Sequence, residues 1–286
     1  MNIFKKNIII VQIAEGLGNQ LFCYATARAL SLKNNKSLYL DTYSQFRINK
    51  YNRKYLLDNY NIQGIKLSKF ETLLGNIGHV LWKTKLITKK RFKIFYLEQN
   101  QKLDEDLLRF PISSNIYLLG YWQHEEYFTE YSFQIRSELQ RISIPSEECQ
   151  IIAKKIKLTT SVCIHIRSYN EIGEPKMPKA YLENAIEYIN TNIQNPFFYI
   201  FTDDHIWVSK NFKVNGHSIP ILCNQNGDGA MDDLWLMAQC DHHILTSSSF
   251  GWWGAWLANN EKGIITLPQD SGLVRNGTFQ KSWILL

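Results

Sequence analysis

The chain has 286 residues, of which 45% are hydrophobic and 20% charged, and a formal net charge of +6. These are globular proportions that exclude intrinsic disorder, and the length suits two domains, each with a sizeable core. The positive balance suits an anionic ligand. No helix interleaves basic and aromatic residues on one face and no nucleic-acid-binding module is present, so nucleic acid is set aside as a partner.

The N-terminal "KKNIIIVQIAEG" is too short an apolar run to span a bilayer and has no small-residue cleavage site, so it reads as a first buried strand. "EGLGNQ" follows as a glycine turn. "LFCYATARALSLKNN" has apolar residues at helical spacing and stops at an Asn pair, and "SLYLD" is a second strand. Together they predict a βαβ unit with a parallel pair. From about Thr42 to Pro145 the pattern is irregular, with "NIYLLGYWQHEEYF" reading as a strand that runs into an aromatic-polar loop. "PSEECQIIAKKI" starts a helix with Ser146 as N-cap. The domain boundary is placed there, giving 1–145 and 146–286.

The second half has a clearer rhythm. Strands "SVCIHI", "FFYIFTDD", "HHILT" and "GIITLP" alternate with helices "KAYLENAIEYINTNI", "DDLWLMAQC" and "SSSFGWWGAWLANN". That alternation predicts a doubly wound parallel sheet, and two such domains facing each other would make a cleft. There is no internal repeat. The cysteines (Cys23, Cys149, Cys163, Cys223 and Cys240) are scattered and never form a C-x-x-C pair. This fits a reduced, intracellular setting and gives no metal-ligand spacing. On that setting the sequon Asn276-Gly277-Thr278 is a chance match.

Three strand ends carry the chemistry. The first gives His165 and Arg167, the second Thr202, Asp203 and Asp204, and the third Thr246, Ser247, Ser248 and Ser249 with a helix directly behind. In a parallel sheet these ends share one edge, and a helix N-terminus behind hydroxyls favours a phosphate. Arg167 would add a bidentate grip. The plain alternatives are that the serines only cap the helix and that Arg167 makes an ordinary salt bridge. Asp232 and Asp233 open their helix either as N-terminal charges or as a carboxylate that reads guanine N–H groups. Gly16 and Gly18 would let a backbone approach a ligand closely. They lack the third glycine of a dinucleotide fingerprint, although Asp41 at the end of the second strand brings a Rossmann oxidoreductase into consideration.

Other features read plainly. Asp203 and Asp204 are successive residues pointing to opposite faces, as are His242 and His243, so neither pair shares a metal. Trp252, Trp253 and Trp256 read as helix core. The basic run from Lys83 to Lys93 is a solvated face or a contact with an anionic membrane.

"EGLGNQLFCYATARAL", "GYWQHEEYF", "HIR", "FTDDHIW", "DDLWLMAQCDHHILTSSSFGWWGAWL" and the terminal "SWILL", in that order, resemble glycosyltransferase family 11, the α-1,2-fucosyltransferases. The resemblance runs from residue 11 to the C-terminus and is weakest in the middle third. It implies a GT-B fold: two Rossmann-like domains with parallel sheets facing across a cleft. The C-terminal domain would hold GDP-fucose, and the N-terminal domain would help hold a galactose-terminated acceptor, free or lipid-linked. Transfer would be inverting and need no metal or other cofactor, with fucose passing to a galactose 2-hydroxyl, as in O-antigen biosynthesis. By motif position Arg167 would bind the diphosphate, with His165 beside it. Asp233 would read guanine, and Ser247, Ser248, Ser249 and Phe250 would surround the phosphate and fucose. Gly16, Gly18, Asn19 and Gln20 would close over the diphosphate. Family members continue the His-x-Arg motif with Arg, Gly and Asp, whereas this chain has Ser168, Tyr169, Asn170 and Glu171. The carboxylate that serves as general base would then be Glu171, or Glu174; the plain alternative is that Glu171 is a solvated loop residue. The expected location is cytoplasmic, peripheral at the inner membrane face. The rival readings are a metal-dependent glycosyltransferase and a nucleotide- or glycan-binding module without turnover.

Overall fold

The computed structural model describes residues 7–47, 53–85, 89–109, 111–167, 179–214, 217–221 and 229–286. The chain forms two compact units. One is Met1–Ser143 with Asn276–Thr278, and the other is Ile144–Arg275 with Phe279–Leu286.

The first unit contains β1 (Ile8–Gln12), α1 (Leu17–Lys33), β2 (Ser37–Asp41), α2 (Ser44–Arg47), β3 (Ile65–Lys66), α3 (Leu73–Thr84), β4 (Arg91–Phe92), β5 (Phe95–Leu97), α4 (Glu105–Arg109), β6 (Ile116–Leu119) and α5 (Ser132–Glu138). Its sheet order is β3-β2-β1-β6-β5-β4. The strands run parallel except β4, which pairs antiparallel with β5 at one edge. Every residue of β1 and β6 is buried. Both strands are covered on two faces, which is why they read as unbroken apolar runs instead of alternating ones.

The second unit contains α6 (Glu147–Lys157), β7 (Thr160–Ile166), α7 (Lys179–Asn192), β8 (Pro196–Thr202), α8 (His205–Asn211), β9 (His217–Pro220), α9 (Ala230–Met237), β10 (His242–Ile244), α10 (Ser249–Ala258), β11 (Ile265–Leu267), α11 (Gly272–Asn276) and β12 (Ile284–Leu285). The sheet is fully parallel, in the order β12-β11-β10-β7-β8-β9. Side chains alternate along β7. Val162, Ile164 and Ile166 pack on one face with Leu182, Ala185 and Ile189 of α7. Cys163 packs on the other with Cys149 and Ile156 of α6 and Leu236 and Met237 of α9. His165 and Arg167 follow Cys163 at the same two-residue spacing.

Local signals explain several boundaries. Ser146 caps α6, its Oγ accepting from the Cys149 N–H at 3.3 Å. α1 begins four residues earlier than its apolar spacing suggests, so Gly18, Asn19 and Gln20 form its first turn and not a loop. Asp203 and Asp204 lie beyond β8, and Asp204 caps α8 by accepting from the Trp207 N–H at 2.8 Å. Trp252, Trp253 and Trp256 are fully buried as core, with Trp252 and Trp256 stacked and Trp253 edge-on to both.

Candidate active site

In the second unit, β7 is the first strand and β10 its neighbour on the side opposite β8. The strand order therefore reverses between them. In doubly wound sheets that switch point opens a crevice at the carboxyl ends, where ligands bind. The residues at those two ends are His165 and Arg167 after β7, and Thr246 to Phe250 after β10.

Arg167 Nη1 stands 3.0 Å from Asp203 Oδ2, and each side chain is 34% exposed. The ordinary salt bridge is thus present. A guanidinium has five donors, however, so one contact orients it without exhausting it. Asp203 comes from the end of β8, next to β7, and serves to aim Arg167.

Behind them α10 begins at Ser249, with Ser248 in the N-cap position at φ −141°. Ser248 makes no side-chain capping bond, so that serine does not simply cap the helix. Ser247 is engaged elsewhere: its Oγ accepts from the Gly272 N–H at 3.1 Å and ties α11 to this edge. An N-terminus with a positive dipole end and no side-chain cap, next to an oriented arginine, suits an anion.

His165 is 6% exposed. Its Nδ1 lies 3.5 Å from Thr246 Oγ1, and its ring tilts against Phe250 at 5.6 Å. Burial and the neighbouring Arg167 charge push its pKa down to about 4, against a smaller opposing effect of Asp203. The imidazole is held neutral and packs as a wedge under α10. Gly251 makes this possible, since a Cβ there would come within 2.7 Å of Nδ1. Asp233, 3% exposed, sits in the first turn of α9. It lies close enough to β7 for its charge to raise the Cys163 thiol pKa, a smaller effect than burial. His242 and His243 are both packed in the sheet. His242 Nδ1 accepts from the Ile264 N–H at 3.0 Å, and His243 Nε2 lies 2.9 Å from the Met237 carbonyl. Glu171 and Glu174, like Ser168 to Asn170, lie outside the described residues.

The first unit has its own switch point, where β1 and β6 are neighbours. Gly16 is the N-cap of α1 with φ −71°, and a Cβ added there would meet nothing within 4 Å. Its missing side chain leaves open space at the helix mouth. Asn19 Oδ1 accepts from Gln123 Nε2 at 2.7 Å, joining the helix to the loop after β6. Gln20 departs from expectation. It is fully buried, and its Nε2 donates to the Glu15 and Lys54 carbonyls while its Oε1 accepts from the Leu56 N–H. Its amide shapes the loop, so its side chain does not face a ligand. Asp41 is buried too. It accepts from the Tyr43 and Ser44 N–H groups and from the Tyr117 hydroxyl, so it is committed to α2 and unavailable to a ribose.

Glu15 was not a sequence-based candidate. Its φ of +60° is left-handed, a strained setting for a residue other than glycine, asparagine or aspartate. Its Oε1 lies 3.3 Å from Gln45 Nε2, 3.4 Å from the Tyr121 hydroxyl and 3.7 Å from Lys83 Nζ. Lys83 also lies over the Trp82 ring at 4.8 Å. It is therefore drawn to this sheet edge and is not part of a uniform basic face. Nothing in the sequence signals the cluster, because its members come from four separate elements. Among the described residues no group of three His, Cys, Asp or Glu side chains is placed to hold a metal ion.

Comparison with solved structures places the fold. Fucosyltransferase NodZ from Bradyrhizobium superposes with a TM-score of 0.53 at 13% identity, covering 88% of this chain and 93% of that one. A mutant of Arabidopsis thaliana FUT1 in complex with GDP gives 0.54 at 11% identity, with 93% and 71% covered. The two Rossmann-like units are thus those of a GT-B-like protein. In sequence, residues 8–286 match Glycosyl transferase family 11, and the chain belongs to that family. It is 29% identical over 279 residues to the alpha-1,2-colitosyltransferase of Escherichia coli, spanning 92% of this chain and 91% of that protein. It is 28% identical over 303 residues to the Escherichia coli O-antigen biosynthesis glycosyltransferase WbnK, spanning 96% and 99%. Galactoside alpha-(1,2)-fucosyltransferase 1 of Saimiri sciureus matches at 25% identity over 172 residues, 53% of this chain and 47% of that one. The protein is a glycosyltransferase. No helix among the described residues is long and apolar enough to cross a membrane.

Proposed function

We propose that this protein transfers fucose from GDP-β-L-fucose to the 2-hydroxyl of a galactose in a glycan acceptor, with inversion and without a metal. The observation that carries the reading is the switch point of the second sheet, where Arg167, aimed by Asp203, stands beside an α10 N-terminus that has no side-chain cap. Fucose leaves GDP through an oxocarbenium-like state, and negative charge builds on the β-phosphate. Fixed positive ends at that point stabilise the transition state more than the ground state. Arg167 and the α10 N–H groups supply them, so the reading needs no Lewis acid. Asp233 accepts from the guanine N–H groups. Glu171 takes the proton from the attacking hydroxyl as general base.

A second reading differs only in the sugar. The full-length relative named as an alpha-1,2-colitosyltransferase favours a GDP-colitose donor with the same linkage. Colitose lacks the 3-hydroxyl of fucose, and a site built to hydrogen-bond that hydroxyl discriminates strongly between the two. The test is turnover in EDTA with each GDP-sugar and a panel of β-galactosides, comparing the wild type with Arg167→Ala and Glu171→Gln. Turnover lost in Arg167→Ala supports the phosphate role. Loss in Glu171→Gln with GDP binding intact assigns the base. GDP binding without turnover on any donor and acceptor would favour a binding module, and dependence on an added divalent ion would contradict the metal-free step.

A further inference from the structure

Helix α3 (Leu73–Thr84) is apolar on two sides. Its inner side is closed against the first sheet. Leu74, Leu81 and Trp82 pack on the cluster formed by Ile8, Ile10, Tyr39, Phe95, Tyr117 and Leu119. Gly75 and Gly78 let the helix lie flush. A Cβ at Gly75 would collide with Asp41, Ser44 and the Tyr117 hydroxyl, and one at Gly78 would come 2.8 Å from Leu119 and Phe95 carbons. That packing satisfies the helix, yet its outer side is not polar. Leu73 is 60% exposed, Ile77 51% and Val80 53%, and Phe70, in the turn before the helix, is 85% exposed. Spacings of three and four residues put these side chains on one stripe. A surface helix ordinarily turns such a stripe to the core and shows polar residues to water.

The charges around the stripe are one-sided. Between residues 66 and 93 there are seven lysines and one arginine but a single acid, Glu71. Glu71 is buried, and its Oε2 accepts from the Ser68 N–H and hydroxyl. Lys66 pairs with Asp58, Lys83 with Glu15, and Lys90 with Asp104 and Asp106. Lys69 at the head of the stripe, Lys85 at the C-cap of α3, and Lys89 and Lys93 beyond it remain exposed. Phe92, on the short edge strand β4, is another exposed apolar side chain in this basic stretch.

We propose that the outer stripe of α3, with its lysine flanks, docks the protein on the surface of an anionic lipid bilayer. A helix lying in the interface buries an apolar ridge at the headgroup–acyl boundary and sets lysines against acidic headgroups. Charge decides between this occupant and a second copy of the chain. Two copies meeting on this ridge would set lysine-rich rims against each other, whereas a bilayer of acidic lipids complements them. The inference does not depend on which sugar is transferred.

The test is co-sedimentation of the full chain with vesicles of phosphatidylcholine, alone or mixed with phosphatidylglycerol. The mixed vesicles are expected to bind the protein, and binding should weaken as salt rises. Leu73→Gln/Ile77→Gln/Val80→Gln changes only exposed positions and should lower partition by roughly tenfold or more. Lys85→Glu/Lys89→Glu should remove the preference for phosphatidylglycerol, by about fivefold for each lysine lost. Both variants should keep wild-type turnover on a soluble acceptor. Absence of binding to either vesicle, or equal partition of the wild type and the triple variant, overturns the proposal. So does a mass that rises with protein concentration in the wild type and not in the triple variant, without vesicle binding, which would make the ridge a self-association face.

Discussion

Gly251→Ala probes the geometry that holds the α10 N-terminus at the sheet edge. The residue lies in the first turn of α10, over His165. On propensity alone alanine stabilises a helix by about 1 kcal/mol relative to glycine. Here the new Cβ would stand 2.7 Å from His165 Nδ1 and 3.3 Å from Cγ. The ring is no flexible tip: it is buried, with Phe250 on one side and Thr246 near Nδ1. Overpacking of this kind costs about 1–3 kcal/mol, and a closed-in ring places it near the upper end, for a net loss of roughly 2 kcal/mol. That corresponds to a fall of roughly 3–4 °C in Tm for a chain of this size. Because the clash is relieved by moving α10 away from β7, GDP affinity should fall about tenfold as the helix end leaves the anion. Thermal unfolding with and without GDP, together with calorimetric titration, reads both effects. Gly251→Ala at wild-type stability or above, with unchanged GDP affinity, would refute the packing of His165 under α10.

Four further outcomes follow from the same geometry. Gly16→Ala meets open space and an ordinary φ, so the reduced freedom of the unfolded chain offsets the poorer N-cap and thermal unfolding should show a Tm within about 1 °C of the wild type. Arg28→Ala removes the partner of Glu138, a 3% exposed carboxylate that also accepts from the Tyr24 hydroxyl and Gln134. It should cost about 3–5 kcal/mol in denaturant unfolding. His165 and His243 have pKa values lowered to about 4 by burial, so the unfolded chain binds their protons first as pH falls. Their contribution is complete above pH 6.5 and lost between about 6.5 and 4, at roughly 3 kcal/mol each. Urea titrations across that range should show a shallower fall for His243→Gln than for the wild type. Asp203→Asn breaks an ion pair that is one-third exposed, so stability should change by less than about 1 kcal/mol. Turnover should fall by roughly tenfold or more as Arg167 loses its orientation, and an unchanged kcat would remove Asp203 from that role.

The strands at the switch points were legible because parallel strands covered on both faces are continuous apolar runs. "IIIVQ", "SVCIHI" and "FFYIFT" could hardly be anything else. α6 was legible through Ser146. The middle of the first unit was not. β3, β4 and β5 are two or three residues long, too short for any period to show. α3 carries apolar residues on both sides and two glycines inside, so neither a single stripe nor high propensity marks it as a helix. Within the site, the strand ends of Arg167 and Thr246 to Ser249 were found because polar residues closing an apolar run stand out. What each side chain does was hidden. His165 acts through the ring it buries under Gly251, a contact between residues 86 apart. Gln20 turns its amide inward, and Glu15 takes a left-handed backbone that the letter E does not announce.

The most direct test of the whole reading is product analysis. Wild type and Arg167→Ala are incubated in EDTA with GDP-β-L-fucose and a β-galactoside, and the product linkage is read by NMR. An α-linked fucose on the galactose 2-hydroxyl from the wild type, with none from Arg167→Ala, is the predicted result. Release of GDP with fucose at another hydroxyl, or transfer that survives loss of Arg167, would contradict it.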